Sequence, residues 1–288
     1  MQTNEASVNK RFGFVELLAK ELSAGHPEVP GFPDVVMRIR RALDDPNCTV
    51  GSITKIISSE PVLTAKLIRV ANSAALRPAS GQIKDARSAV ARLGFKLVHS
   101  ATVAFAAEQM RIVHRYESAK KRFDEIWRNS THVGAIAYVL AKRCTKLNPD
   151  EALLAGLIHS IGKLYIISRA EEYADLFENE DELSSVLADW YVPTGQAILQ
   201  GWDFPEDIVA AVAAQLDFDR ENDGPPDLAD VLVVALPLPA ALANHDDLAA
   251  ALERTRATDR LGLSSATCLD IFEEAREQIE DLRKALGD

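Results

Sequence analysis

Cysteine, aromatic residues and long apolar runs are all scarce in this chain, and each scarcity excludes a class of protein. The cysteines are three, Cys48, Cys144 and Cys268. They are far apart and odd in number, so they make neither a disulfide framework nor a CxxC metal pair, and reduced thiols are expected. Aromatic residues are only 6% of the chain, and long β-branched runs are few while Ala and Leu abound, which favours helices. The longest apolar run, Leu228–Ala243, contains Asp230, Pro237 and Pro239 and is too short to cross a bilayer. No segment has a basic start followed by an apolar core, so a signal peptide is not expected. The expected location is cytoplasmic, with no membrane partner. A glycine-rich nucleotide loop, HExxH, GxSxG and an EF-hand pattern are also missing.

What is present is a chain of 288 residues with room for a sizeable core. Its net charge of −11 is unevenly placed. Residues 201–288 hold 7 Lys/Arg against 20 Asp/Glu, whereas the first 200 hold 25 against 23. From Glu60 to Ser100 the balance reverses: Lys66, Arg69, Arg77, Lys84, Arg87, Arg92 and Lys96 face only Glu60 and Asp85. The plain reading of that run is a solvated face balanced by the acidic C-terminal part. The functional reading is a docking surface, with Arg69, Arg77, Arg87 and Arg92 foremost. Phe95 is its only aromatic, which counts against base stacking and so against nucleic acid or a nucleotide.

Hydrophobic spacing predicts helices throughout. Phe12, Val15, Leu18, Ala19 and Leu22 mark an N-terminal docking helix, and Gly25–Pro33 is a Gly/Pro linker. Short helices follow over Asp34–Leu43, after Thr49, and from Pro61, with Glu60 marking a joint before proline. Two more, Ile83–Leu93 and Phe95–Met110, break at Gly94. A long helix runs from Ser118 to about Cys144, then Trp190–Gly201 and Phe204–Leu216, and last a single amphipathic helix over Asp270–Leu286. Between them lies Asn148–Ile167, predicted as one helix: Asn148 can cap it, Pro149 suits its first position, and Asp150 and Glu151 suit its positive end. Beyond them it is apolar on almost every side, the mark of a helix buried by others. His159 and Ser160 sit at its middle. Ala152, Gly156 and Ser160 share one face, small enough for a neighbouring helix to come close.

Several of these segments together resemble the HDOD domain, a bacterial signalling module related to HD-type phosphohydrolases. They are PGFP at 30–33, Asp45–Pro46, ISSEP at 57–61, LIRVANS at 67–73, AVARLGF at 89–95, IWRNS at 126–130, LLAGLIHSIGKL at 153–164 and Gly195–Ile208. The resemblance covers roughly residues 27–220 and implies an all-α, multi-helix bundle. It divides the chain into residues 1–26, a domain at 27–220 in two sections (27–115 and 116–220), and an acidic helical extension at 221–288. The catalytic relatives hold metal with several His and Asp residues. Carried over by position, their first His falls on Asn129, the His-Asp pair on His159 and Ser160, the next His on Tyr191, and a later site on Gln215. Only His159 keeps its type, so the resemblance implies a degenerate site with no metal and no cofactor.

His26, His99, His114 and His245 offer little help to such a site. His132, three residues after Asn129, is the one candidate for a displaced ligand. The plain reading of His159 is a core histidine bonded to Asn129, Ser160 or Tyr191. The expected function is non-enzymatic signal transduction through contacts with another signalling protein or a second copy of the chain. Because 288 residues show no receiver or nucleotide-cyclising domain, the input is expected from a separate chain. The alternatives are an atypical metal-dependent phosphohydrolase, and nucleotide or nucleic-acid binding through residues 66–96.

Overall fold

The computed structural model of the chain describes residues 2–23, 29, 33–73, 82–112, 116–173, 180–243 and 247–287, with side chains described for all of these but 2–12, 112 and 243. No strand occurs among the described residues. The helices are α1 (Gln2–Ser23), α2 (Asp34–Asp44), α3 (Val50–Ile57), α4 (Pro61–Ala71), α5 (Ala86–Ile112), α6 (Glu117–Cys144), α7 (Pro149–Ile158) and α8 (Ile161–Ala170). They continue with α9 (Glu180–Gly201), α10 (Glu206–Ala213), α11 (Leu228–Ala235), α12 (Leu238–Ala243), α13 (Leu248–Glu253), α14 (Ala257–Arg260), α15 (Ser265–Glu274) and α16 (Arg276–Leu286).

Local chemistry sets many of these boundaries. Thr49 and Ser52 form a reciprocal capping box at the start of α3. Glu60 is extended before Pro61, which opens α4. Gly94 takes φ 71° inside α5 and splits it into two helical halves. Asn148 accepts from the Asp150 amide at 2.9 Å and caps α7. Two predicted helices are in fact pairs. Asn148–Ile167 is broken by a turn at His159–Ser160, and α8 then runs on to Ala170. Asp270–Leu286 is broken at Ala275, with α15 beginning earlier at Ser264, its side-chain cap. Apolar residues continue across both breaks, so spacing alone hides them.

One apolar core runs from Phe14 to Leu286. Its middle layer is α7, packed against α5, α6, α10 and α11, while α8 lies on α9. Pro149–Ala170 is long and apolar enough to cross a membrane, but 89% of its apolar 18-residue stretch is buried inside the bundle. The small-residue face carries out the close approach expected of it. A methyl group added to Gly156 would strike the Gly134 backbone of α6, and one added to Gly162 would strike the Tyr191 carbonyl of α9. Two helix crossings therefore meet backbone to backbone.

Both ends of the chain are tied into this core. On α1, Phe14 and Leu18 are fully buried, and Glu21 accepts from Tyr165 at 2.5 Å and pairs with Arg169 of α8. At the other end, α16 packs its apolar stripe on α4, α5 and α6 of its own chain. Its last carbonyl groups are met by cations of α4: Lys66 donates to Leu286 O at 2.9 Å and Arg69 to Ala285 O at 3.4 Å. Cations at a helix C-terminus complement its dipole. Between the ends, Asp230 is fully buried and held by Arg220, Arg260 (2.5 Å) and Asn222 (3.0 Å). Burial alone would raise its pKa, but these bonds hold the carboxyl below its ordinary value.

The glycine crossings yield a sharp contrast. Gly156→Ala places a methyl group against backbone that cannot step aside, and a loss of at least about 3 kcal/mol is expected by chemical denaturation. Gly13→Ala in α1 meets no atom within 4 Å. It should instead gain about 0.5–1 kcal/mol from the helix preference of alanine.

Candidate functional site

The turn between α7 and α8 places the His159–Ser160 pair in the centre of the bundle, where both side chains are buried. His159 Nδ1 lies 2.6 Å from Gly156 O. A carbonyl only accepts, so Nδ1 carries the proton and the ring is a neutral tautomer that closes the last turn of α7. Burial drives the imidazole down to about 4, against a small rise from the Gly156 bond and a further lowering by the Lys163 charge. The hydrogen-bond partner of His159 is thus a backbone carbonyl one turn back, and not Asn129, Ser160 or Tyr191.

Ser160 bonds Ser130 of α6, Oγ to Oγ, at 2.5 Å. Ser130 gives its proton to Ile126 O at 2.9 Å, so Ser160 is the donor within the pair. Asn129, the position carried over as the first metal histidine, is exposed. A helix turns about 100° per residue, so the neighbour Ser130 points inward where Asn129 points out. His132, a further two residues on, lines a cleft with the C-terminal helices and is no displaced ligand for this corner.

The remaining two positions do gather here. Gln215 is fully buried; its Nε2 donates to His159 O at 3.0 Å and to Val212 O at 2.8 Å, while its Oε1 has no partner. Tyr191 is buried under Lys163, whose ammonium sits 4.3 Å from the ring centroid. Burial raises the phenol to about 12 and lowers the Lys163 amine. Thr194, one turn beyond Tyr191, has a buried and unpartnered hydroxyl. Sequence reading overlooked Ser130 and Thr194, because small hydroxyl residues on apolar helix faces carry no distinctive pattern.

This donor set does not fit a divalent metal. A catalytic site needs several deprotonated N or O ligands converging on one point with an open position. Here His159 Nε2 is the one imidazole nitrogen left as a ligand, since Nδ1 carries a proton bonded to a carbonyl, while two hydroxyls are committed to each other and the amide donates. Among the described residues, no three His, Cys, Asp or Glu side chains gather as a metal cluster.

The basic run divides. Lys66 is buried beneath α16, with Glu108 at 2.5 Å, so it is withdrawn from any docking face. Burial lowers its amine to about 8, opposed by Glu108. Lys84, Arg87, Arg92 and Lys96 are exposed along the first half of α5 and its approach, with Lys96 paired to Glu151. Arg69 is exposed on α4. Arg77 lies outside the described residues, as do His26, His114, His245 and Pro30–Phe32.

A second buried cluster joins the two sections. Arg40 of α2 donates to the Trp202 and Asp203 carbonyl groups, and its guanidinium lies 5.5 Å from the Phe204 ring centroid. His99 of α5 stacks on the same ring at 5.2 Å. Burial, with Arg40 nearby, lowers His99 to about 4.

The two depressed histidines set a pH dependence. Each binds fewer protons when folded than unfolded between about pH 4 and 6.5, so stability is fully present above 6.5 and falls as the pH drops towards 4. Each contributes on the order of 3 kcal/mol over that window. Urea titrations at pH 7.5 and 5 should show the loss, and it should shrink in His99→Gln and His159→Gln proteins.

Known proteins place this architecture. The HDOD domain family matches residues 29–218. Over 209 residues the chain is 24% identical to an uncharacterised protein of Treponema pallidum (strain Nichols), covering 68% of this chain and 39% of that one. The chain spans little more than a third of the curated relatives it matches. The crystal structure of a proposed metal-dependent phosphohydrolase from Shewanella amazonensis SB2B superposes with a TM-score of 0.73 at 26% identity, covering 97% of this chain and 99% of that one. A proposed signal transduction protein from Marinobacter aquaeolei VT8 superposes at 0.60 and 19% identity, over 90% of this chain and 60% of that one. With the all-helical bundle and the family match over most of its length, the chain belongs to the HDOD domain family.

Proposed function

We propose that this protein is a non-enzymatic regulatory scaffold acting through contacts with another signalling protein. The observation that carries this reading is the donor set around His159. Of the positions that would bind metal in a hydrolase, His159 alone keeps a metal-binding side chain, with Nε2 as its one available nitrogen, and no three His, Cys, Asp or Glu side chains gather among the described residues to hold a metal. The description of the Marinobacter protein as a signal transduction protein accords with it.

The docking face would be the basic start of α5, where Lys84, Arg87 and Arg92 are exposed. Such a face favours an acidic partner, with charge steering that weakens as salt screens it. Lys66 takes no part because it is spent inside the chain. Reversing Lys84, Arg87 and Arg92 to Glu should abolish capture of the partner from a native extract while leaving the thermal midpoint unchanged. Equal capture by the reversed protein removes the face from consideration.

The second reading is an atypical phosphohydrolase, favoured by the description of the Shewanella protein at 26% identity. Elemental analysis of protein purified without chelator separates the two. Less than about 0.1 metal per chain is expected, since a competent site needs at least three convergent protein ligands. A stoichiometric metal that disappears in His159→Ala would overturn the scaffold reading.

A further inference from the structure

The C-terminal pair α15–α16 bends where its sequence carries no signal to bend. Cys268, Phe272, Ala275, Ile279, Leu282 and Leu286 follow one another at intervals of 4, 3, 4, 3 and 4 residues, and all are buried. Alternating steps of 3 and 4 are the pattern of one continuous amphipathic helix. Its start signal is the Ser264 capping box, and its stop signal is Gly287, left-handed at φ 106°. Between these, Glu273–Arg276 holds neither glycine nor proline, and the residue at the bend is alanine, the strongest helix former. Yet Ala275 stands at φ −96° and ψ 3°, well off helical values.

Packing therefore supplies the bend. Past it, α16 lays Ile279, Leu282, Ala285 and Leu286 against α4, α5 and α6. Its end enters a seat shaped for it. Lys66 and Arg69 of α4 meet its last carbonyl groups, at 2.9 and 3.4 Å, and Glu108 of α5 pairs with Lys66 at 2.5 Å. Gly287 passes so close to this pair that a methyl group on it would strike the Glu108 carboxylate. The seat thus recognises this helix by its apolar face, its negative end and its glycine. None of these features requires that helix and seat belong to one chain.

We propose that α15 and α16 have a second state, a single straight helix over Ser265–Leu286, in which α16 leaves its own seat and fills that of a second copy of the chain. Every seat contact is remade between copies, and the bend at Ala275 is relieved. What opposes the exchange is the lost freedom of the second copy, which rising concentration offsets. The exchange stands apart from the scaffold reading, for it uses the second half of α5 and none of its basic start.

Sedimentation of the full chain over a range of concentrations tests this. Monomer and dimer are expected, interchanging slowly because α16 must detach first. Leu282→Glu spoils the helix but leaves the seat open. Alone it should be monomeric, and mixed with native chain carrying a different tag it should form a one-to-one heterodimer. Glu277 is exposed, and proline there is tolerated in the first turn of α16 but interrupts a straight helix. Glu277→Pro should raise the dimer dissociation constant at least about tenfold while the helical circular dichroism of the monomer is kept. A native chain that stays monomeric at every concentration, a Glu277→Pro dimer as tight as the native one, or self-association of Leu282→Glu at native strength overturns the proposal. If Leu282→Glu fails to fold, the native chain and Glu277→Pro decide.

Discussion

The contact between Gly134 and Gly156 is the constraint on which the rest of the bundle rests. It lets α6 and α7 cross at backbone distance, with Gly162 repeating the arrangement between α8 and α9. At such a crossing a serine can reach a serine: Ser130 and Ser160 meet because their helices are that close. Larger residues would hold the helices apart and open the centre of the bundle. The buried corner is therefore a product of two missing side chains as much as of the polar groups that fill it.

Around this crossing the positions carried over from the catalytic relatives make structural connections. His159 closes the end of α7, Gln215 holds the His159 carbonyl, and Ser160 reaches α6. Each satisfies a buried backbone or hydroxyl group that would otherwise cost stability. Gln215 Oε1 and Thr194 Oγ1 are buried without a hydrogen-bond partner. At the opposite side of the domain, Arg40 clasps the Trp202–Asp203 turn and joins the short helices to the longer ones. The C-terminal helix makes a third connection by ending on Lys66 and Arg69.

Much of this was legible in the sequence, for identifiable reasons. Thr49, Pro61, Gly94 and Asn148 act locally, through caps and backbone preferences, so their helix boundaries could be read from a few residues. The family resemblance located His159, Ser160, Tyr191 and Gln215 near one another. The breaks at His159–Ser160 and Ala275 were hidden because apolar spacing continues through them. Asn129 is exposed while its neighbour Ser130 is buried, because one residue along a helix rotates a side chain by about 100°, a difference that comparison by position does not show. Burial of Lys66 depended on a helix more than two hundred residues away, and no local pattern reports such a distance.

The hydroxyl pair carries a further implication. Its protons run in one direction, from Ser160 to Ser130 to the Ile126 carbonyl. That chain ends on α6, at an acceptor with no proton to pass on. Packing limits which residues fit this corner, and one hydrogen-bonded arrangement can replace another there while the helices stay where the glycines put them.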